Sequence, residues 1–177
     1  NVPFCYTEAY AAFGVRCIVG PDIPNNAASL AAVRISAPEG SILNATFPAP
    51  VASRHILGHM MADLALGCLA AAAPDRVPAE HSGTLWNLRL ARGEGPRPFN
   101  ILCFHSGGGG ARPMQDGLAA TAYPSGVQAI PVEVSERAAP ILYRKRALRP
   151  DSGGAGTWRG GLGQVIEVAP RDGAAVE

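Results

Sequence analysis

The spacing of apolar residues changes from a helical period to a period of two near Glu80. Before this point, apolar residues recur every three or four positions in two segments, Tyr6–Val19 and Ala52–Ala73. After it, apolar and polar residues alternate, as they do in strands with one buried face. Helices followed by strands are typical of the α+β class. We therefore expect a single α+β domain, helical over residues 1–80 and β-rich over residues 81–177.

The helical half carries start and stop signals for two helices. Thr7 is a candidate N-cap of the first helix, and Gly20-Pro21 is its stop. Ser53 and Pro74 have the same roles for the second, which is predicted to be one long central helix. Four of its apolar residues are predicted to lie along one face: Ile56, Met60, Leu64 and Cys68. Both helices are expected to pack on a mostly antiparallel sheet.

Alternating segments predict the strands. Thr84–Ala91 and Phe99–Phe104 form a hairpin across the sequence RGEGPRP. The remaining predicted strands are Ala32–Ala37, Ala129–Val134, Ile141–Ala147 and Gln164–Val168.

The charge and cysteine content exclude several classes of protein. Lys and Arg number 15 and Asp and Glu 14, so the formal net charge is +1. This balance, without a long basic run, argues against nucleic-acid binding and against a membrane surface. No apolar run approaches the roughly 18 residues that span a bilayer, and we expect a cytoplasmic protein. Cys5, Cys68 and Cys103 have apolar neighbours and are expected to be buried free thiols.

Four consecutive glycines, Gly107–Gly110, lie between His105 and the pair Arg112 and Asp116. Successive glycine N–H groups can point into one concavity that binds an anion or a developing oxyanion. His105 could supply a proton, and Arg112 could supply a positively charged guanidinium group. Asp116 could supply an orienting or metal-binding carboxylate. The predicted catalytic residues are His105, Arg112 and Asp116, and the predicted substrate-binding glycines are Gly107, Gly108 and Gly109. A loop that only follows an edge strand is the alternative.

A second cluster contains six glycines between Gly153 and Gly163. The preceding Asp151-Ser152 is similar to a chymotrypsin-like nucleophile, but the Gly-Asp that should come before the serine is missing. We expect a structural role, in which Asp151 pairs with Arg159 across a turn and the glycines allow tight packing.

Three metal-ligating side chains, His55, His59 and Asp63, recur every four residues and share one helix face. Such a stripe could hold a divalent metal, as two histidines do in H-E-x-x-H, but no Glu follows His55. The simpler interpretation is a solvated polar face, and a metal site is the alternative.

The loop from Asp22 to Asn26 brings three polar side chains together. Asp and Asn are ordinary turn residues, so the loop alone is a weak signal. Asp22, Asn25 and Asn26 are predicted to contribute to substrate binding.

Six motifs follow one another along most of the chain, from about Val2 to Gly163. They are PDIPNNA, VRISAPEGSILNATFPAPV, ALGCLAAAAPDRVPA, SGGGGARPMQDG, IPVEVSE and LRPDSGGAGTWRGGLG. In this order they resemble the later half of the large B-type chain of the hydantoinase B/oxoprolinase family. Ala28 stands where that family usually has glycine, and Pro124–Val127 replaces a stretch that more often carries asparagines.

The resemblance implies an enzyme that works with a partner. B-type subunits act with an A-type subunit or domain of the sugar-kinase/actin ATPase kind, which binds ATP and Mg. Together they hydrolyse the cyclic amide of hydantoins or 5-oxoproline, because phosphorylation of the carbonyl oxygen activates a poor electrophile. The implied assembly is a hetero-oligomer that also needs the N-terminal half of the same B-type chain. No cofactor is expected on this chain, and a divalent metal would belong to the full enzyme.

Two other functions remain open. Related complexes carboxylate acetone or acetophenone with ATP, and that reaction also needs an activated carbonyl oxygen. The other alternative is a non-catalytic interaction domain of a B-type chain. The family's Asn-Asp-Pro-Tyr segment with its histidines is absent here, so we expect a C-terminal fragment that is inactive alone.

Overall fold

The computed structural model describes residues 1–83, 85–94 and 97–173. The helices in these ranges are α1 (Phe4–Val19), α2 (Ala27–Leu30), α3 (His55–Leu69) and α4 (Val132–Ala138). The strands are β1 (Leu85–Arg92), β2 (Phe99–Ser106), β3 (Ile141–Leu148) and β4 (Gln164–Pro170). The two antiparallel strand pairs, together with the helices, confirm the α+β class. Within the described ranges, no helix combines the length and apolar character that crossing a bilayer requires.

Helices α1 and α3 pack directly against each other. The closest approach is at Gly14, where an added Cβ atom would lie 2.7 Å from the carbonyl oxygen of Ala62. The ring of Tyr10 covers Gly58 of α3 in the same way, 2.9 Å from an added Cβ atom. The apolar core of this pair is formed by Ala11, Ala12, Ile18, Met61, Ala62 and Leu66.

Helix α3 is shorter than the predicted segment Ala52–Ala73. It begins at His55 because Ser53 has a φ of 55°, a left-handed conformation that a right-handed helix cannot contain. Arg54 is the N-cap and makes no side-chain capping bond, so the predicted capping by Ser53 is wrong. With 15 residues against 16 in α1, α3 is not the single long central helix that was predicted.

The face of α3 that carries Met60, Leu64 and Cys68 is not the buried face of the helix. Met60 and Leu64 are 38% and 58% exposed, and Cys68 is exposed as well. The buried residues of the helix are Gly58, His59, Met61, Ala62 and Leu66. The small residues of α3 let α1 approach closely, so the face that carries them is buried. The side chains of Met60, Leu64 and Cys68 lie on the other face.

Two further predictions for the first half are wrong. Thr7 does not cap α1; it lies inside the helix, and its hydroxyl group donates a hydrogen bond to the Leu43 carbonyl oxygen at 2.6 Å. Cys5 and Cys68 are exposed free thiols, whereas Cys103 is buried as predicted.

The predicted hairpin is confirmed. Strands β1 and β2 pair antiparallel along their whole length, from Leu85 opposite Ser106 to Arg92 opposite Phe99. Thr84, the first residue of the predicted strand, lies outside the described residues. Strands β3 and β4 also pair antiparallel, which confirms two more predicted strands.

Two predicted strands are not strands in the structure. The predicted segment Ala129–Val134 runs into helix α4, which has Pro131 as its N-cap and Glu133 in its first turn. A proline just before a helix and an acidic residue in its first turn favour a helix start. The alternation of Val132, Glu133 and Val134 covers three residues, which is too short to predict a strand. Ala32–Ala37 does show alternating exposure, but it pairs with no strand among the described residues.

Polar contacts among the described residues join the hairpins. The Gln164 side-chain amide donates to the Ser106 carbonyl oxygen at 2.7 Å. Arg92 at the end of β1 forms two hydrogen bonds with the carboxylate of Asp172, at 2.7 and 2.8 Å. These contacts place the end of β2, the start of β4 and the glycine-rich segments side by side.

Candidate active site

The Gly107–Gly110 segment has no regular secondary structure and is held by backbone hydrogen bonds. The N–H group of Gly109 donates to the Leu118 carbonyl oxygen, and its own carbonyl oxygen accepts from Gly161, both at 2.8 Å. The two glycine-rich clusters of the sequence therefore meet directly. Further backbone bonds join Ser82 to Gly108, Thr121 to Gly107 and Ala79 to Ala111.

Close packing explains why glycine occupies these positions. A Cβ atom on Gly108 would overlap the Gly161 carbonyl group, and one on Gly110 would overlap the carbonyl group of Ala79. Neither glycine has a left-handed φ, so space rather than conformational freedom requires it. The glycine run thus has a packing role, and anion binding by its N–H groups stays a prediction.

The second cluster forms a closed loop. The Ser152 hydroxyl group donates to the Arg149 carbonyl oxygen at 2.8 Å and accepts from the Gly163 N–H group at 2.9 Å. The predicted pairing of Asp151 with Arg159 is confirmed, with a separation of 3.9 Å. Both side chains are largely exposed, so the pair contributes little to stability.

A cleft of about 760 Å³ opens beside the glycine segment. It lies between the first hairpin, β4 and the second glycine cluster, and its volume is within the range of small-molecule sites. Its apolar walls include the rings of Trp86 and Trp158. The ionisable side chains on its surface are those of Glu80, His81, His105 and Arg149.

His105 is buried at the border of this cleft, with 9% of the residue exposed. Neither ring nitrogen has a hydrogen-bond partner within the part of the chain that the structure describes. Burial lowers the pKa of His105, and the positive charge of Arg146 lowers it further, so the imidazole is neutral near pH 7. The ring lies edge-on to Tyr143, with centroids 6.5 Å apart. Burying an imidazole without hydrogen-bond partners is unfavourable for stability, and its place beside the cleft makes His105 a candidate functional residue.

Arg112 and Asp116 lie together in a turn, but they do not line the cleft. The Arg112 guanidinium donates to the Asp116 carbonyl oxygen at 3.1 Å. The Asp116 carboxylate accepts from the N–H group of Arg159 at 2.8 Å. These contacts fasten the turn to the second glycine cluster, which forms one wall of the cleft.

The three polar side chains of the Asp22 loop are exposed and do not line the cleft. The Asn26 side chain caps helix α2 by accepting a hydrogen bond from the Ser29 N–H group at 3.0 Å. A contribution of Asp22, Asn25 and Asn26 to substrate binding stays a prediction.

The stripe of His55, His59 and Asp63 is not a solvated face, so that prediction is wrong. His55 Nε2 lies 3.0 Å from the side-chain oxygen of Asn87. His59 is only 3% exposed, and its ring contacts those of His55 and Tyr10. Burial lowers the pKa of His59, the nearby His55 adds to this effect, and Asp63 opposes it. In the described ranges, no three His, Cys, Asp or Glu side chains are arranged to hold a metal ion.

His81 is a titratable residue of the cleft that the sequence did not reveal. Its Nδ1 lies 3.2 Å from a carboxylate oxygen of Asp63, and the two side chains are 12% and 9% exposed. Its ring stacks on Tyr123, with centroids 4.3 Å apart and an interplanar angle of 16°. The three residues come from α3 and from two separate loops, so no local spacing indicates their contact.

Comparison with known proteins establishes the family. The model of the hydantoinase B/oxoprolinase family matches residues 1–176. The chain belongs to this family. Relatives include an uncharacterised protein of Methanocaldococcus jannaschii, which is 34% identical over 92% of the chain and 29% of its own length. The putative B-type subunit of a D-/L-hydantoinase from a Pseudomonas species is 30% identical over 84% of the chain and 25% of its own length.

The family also includes a eukaryotic relative, 5-oxoprolinase 1 of Arabidopsis thaliana. It is 31% identical over 95% of the chain and 13% of its own length. The chain therefore spans less than a third of the length of each of these relatives.

Proposed function

We propose that the chain is part of an ATP-dependent hydrolase that opens cyclic amides, and that the ring amide binds in the cleft. The family match over residues 1–176 is the observation that carries this proposal. Relatives named as a hydantoinase subunit and as 5-oxoprolinase support the substrate class. A cleft of about 760 Å³ with two indole walls suits a small, flat ring.

In this proposal His105 accepts the amide N–H proton as the carbonyl oxygen is phosphorylated, which leaves a C=N bond in the ring. Its neutral imidazole can accept a proton near pH 7, and it borders the cleft beside the glycine segment. The polarised amide oxygen, or its phosphoryl group, lies against the backbone of Gly107 and Gly108. Gly109 only shapes the cleft, since its N–H group already donates a hydrogen bond to the Leu118 carbonyl oxygen.

Arg112 and Asp116 act as positioning residues. They hold the wall of the cleft through the Asp116 bond to the backbone of Arg159. An A-type ATPase subunit supplies ATP with Mg, and the remainder of a B-type chain completes the site. This partnership agrees with the name of the Pseudomonas relative, which describes it as one subunit of a hydantoinase.

The test combines a complete B-type chain that contains these residues with an A-type ATPase subunit. Hydantoin, 5-oxoproline, and acetone with bicarbonate are each supplied with ATP, and ADP and organic products are measured. We expect ADP and a ring-opened acid from a cyclic amide. A carboxylated ketone without ring opening would instead identify a carboxylase.

His105→Gln tests the site within the same complex. We expect kcat for ring opening to fall by about 100-fold or more, because proton transfer contributes that much. Leu102→Gln is the matched control, since it places the same residue at a position of β2 that is 45% exposed. Wild-type rates for His105→Gln would place the chemistry elsewhere and favour the interaction-domain alternative.

A further inference from the structure

We propose that His81 is the general base that activates water in the cleft, and that Asp63 positions it. This inference rests on the proposed function, and it assigns a second histidine a role different from that of His105. Neither the glycine run nor the predicted catalytic set includes these two residues.

The contact between His81 and Asp63 fixes the orientation of the imidazole. At 3.2 Å, Nδ1–H can donate to the Asp63 carboxylate, which leaves Nε2 as the proton acceptor. Both side chains are largely buried, so this hydrogen bond is shielded from solvent. The stacked ring of Tyr123 holds the imidazole plane from the side.

The two histidines of the cleft differ in their access to ligand. Both ring nitrogens of His105 are fully buried, and neither has a partner in the described ranges. His81 Nε2 also makes no hydrogen bond to a described residue, but it is not among the fully buried nitrogens. Since His81 lines the cleft, a water molecule there can reach Nε2 directly, whereas the nitrogens of His105 become accessible only when the side chains around them move.

The environment of Asp63 supports a role beyond folding. Its second carboxylate oxygen, Oδ2, is buried and has no hydrogen-bond partner among the described residues. A buried carboxylate with a hydrogen bond to only one of its oxygens is unfavourable for stability. This cost is smaller when the neighbouring imidazole is positively charged. Asp63 would therefore stabilise His81 after it has taken a proton, as the carboxylate does in a Ser-His-Asp triad.

The proposed step adds water to an amide whose carbonyl oxygen carries the phosphoryl group from ATP. The water oxygen forms a bond to the amide carbon while Nε2 of His81 takes a proton from that water. The π electron pair of the ring C=N bond moves to the nitrogen, which then receives the proton from Nε2. Water is thus added across the C=N bond, and His81 returns to its neutral form.

The first test measures the tautomer of His81 and does not depend on activity. The ¹⁵N signals of the full chain are recorded, and His81→Gln identifies those of His81 among the four histidines. We expect Nδ1 protonated and Nε2 unprotonated in the wild type, and a shift towards the Nε2–H form in Asp63→Asn. An Nε2–H form in the wild type would overturn the proposal.

The second test measures ring opening in the complex with the A-type subunit. We expect His81→Gln to lower kcat by about 100-fold or more, and Asp63→Asn by about 10-fold or more, with little change in KM. Asp75→Asn is the matched control, since Asp75 is exposed and outside the cleft. Urea unfolding of each variant separates loss of the base from loss of the fold.

The outcomes distinguish this inference from the proposed function. If the wild type opens the ring and folded His81→Gln does so at the same rate, only the role of His81 is overturned. A wild-type complex that opens no cyclic amide overturns the proposed function and the catalytic role together. In that case the tautomer measurement still decides whether Asp63 positions His81.

Discussion

The burial of two histidines makes the stability of the chain depend on pH. Burial is the main cause of the lowered pKa of His59 and of His105. In the unfolded chain the pKa of histidine is about 6.5. As the pH falls below this value, the unfolded state binds more protons than the folded state, so folding stability decreases. The free energy of unfolding in urea should therefore be lower at about pH 5.5 than at about pH 7.5.

His105→Phe isolates the contribution of one of these residues. An aromatic ring of similar shape can still pack against Tyr143, but it does not titrate. We expect the decrease in unfolding free energy between the two pH values to be smaller in this variant than in the wild type. Ile101→Val, on the same strand, should shift stability equally at both pH values. A decrease as large as that of the wild type would show that His105 does not contribute.

The glycines at the contact between the two clusters should not tolerate alanine. In Gly108→Ala and Gly110→Ala the new methyl group would overlap backbone carbonyl groups, which cannot move as a flexible side chain can. We expect a loss of about 3 kcal/mol or more of unfolding free energy, at the upper end of overpacking effects. Gly154→Ala is the control, because an added Cβ atom there has no neighbour within 4 Å. Equal stability of Gly108→Ala and Gly154→Ala would contradict the packing role.

Part of the candidate site could be predicted from individual residues. The glycine run and His105 were identified because they are adjacent in sequence, and they do border one cleft. Arg112 and Asp116 are also close to the glycine run in sequence, but they do not line the cleft. Their turn is fastened to the second glycine cluster instead. His81 was missed because its partner Asp63 is 18 positions away on another element.

At the scale of the elements, the crossing of α1 and α3 depends on Gly14. Alanine would gain about 1 kcal/mol in helix propensity, but its methyl group would lie 2.7 Å from the Ala62 carbonyl oxygen. We expect Gly14→Ala to lower the free energy of unfolding by about 1 kcal/mol or more, since the helices must separate. Gly67→Ala, with no neighbour within 4 Å, should instead be stabilising by up to about 1 kcal/mol. If Gly14→Ala were also stabilising, the close crossing would be wrong.

The elements with a long, regular period were predicted well. Both hairpin strands and α1 are determined by contacts between residues that are close in sequence. The predicted strand Ala32–Ala37 failed for a different reason, because a strand needs a partner and local alternation cannot supply one. The buried face of α3 could not be predicted from its own period, because the packing of α1 on Gly58 and Ala62 is a contact between elements.

For the whole molecule, the contacts that decide the architecture are between distant residues. The glycine clusters touch across about 50 positions, as in the bond between Gly161 and Gly109. The sequence showed both clusters but did not indicate that they pack on each other. Family resemblance predicted the class of protein because it depends on several motifs in order, and the match over residues 1–176 confirms it.

The contact between Arg92 and Asp172 should stabilise the arrangement of the two hairpins. The Arg92 side chain is 8% exposed and donates two hydrogen bonds to the carboxylate, a geometry that is stronger than a single contact. In Asp172→Asn the arginine keeps its charge but loses the carboxylate of this pair. We expect a lower urea midpoint of unfolding, measured by circular dichroism, because the buried guanidinium loses a compensating negative charge.

Glu167→Gln provides the matched control for this prediction. Its partner Lys145 is 4.0 Å away, and both side chains are about half exposed, so the midpoint should hardly change. Added salt should weaken the difference between the two variants only slightly, since screening acts mainly on exposed pairs. Equal midpoints for Asp172→Asn and Glu167→Gln would mean that the Arg92 contact does not hold the hairpins together. The β1–β2 and β3–β4 ladders would then keep their positions through the glycine clusters and the Gln164 contact.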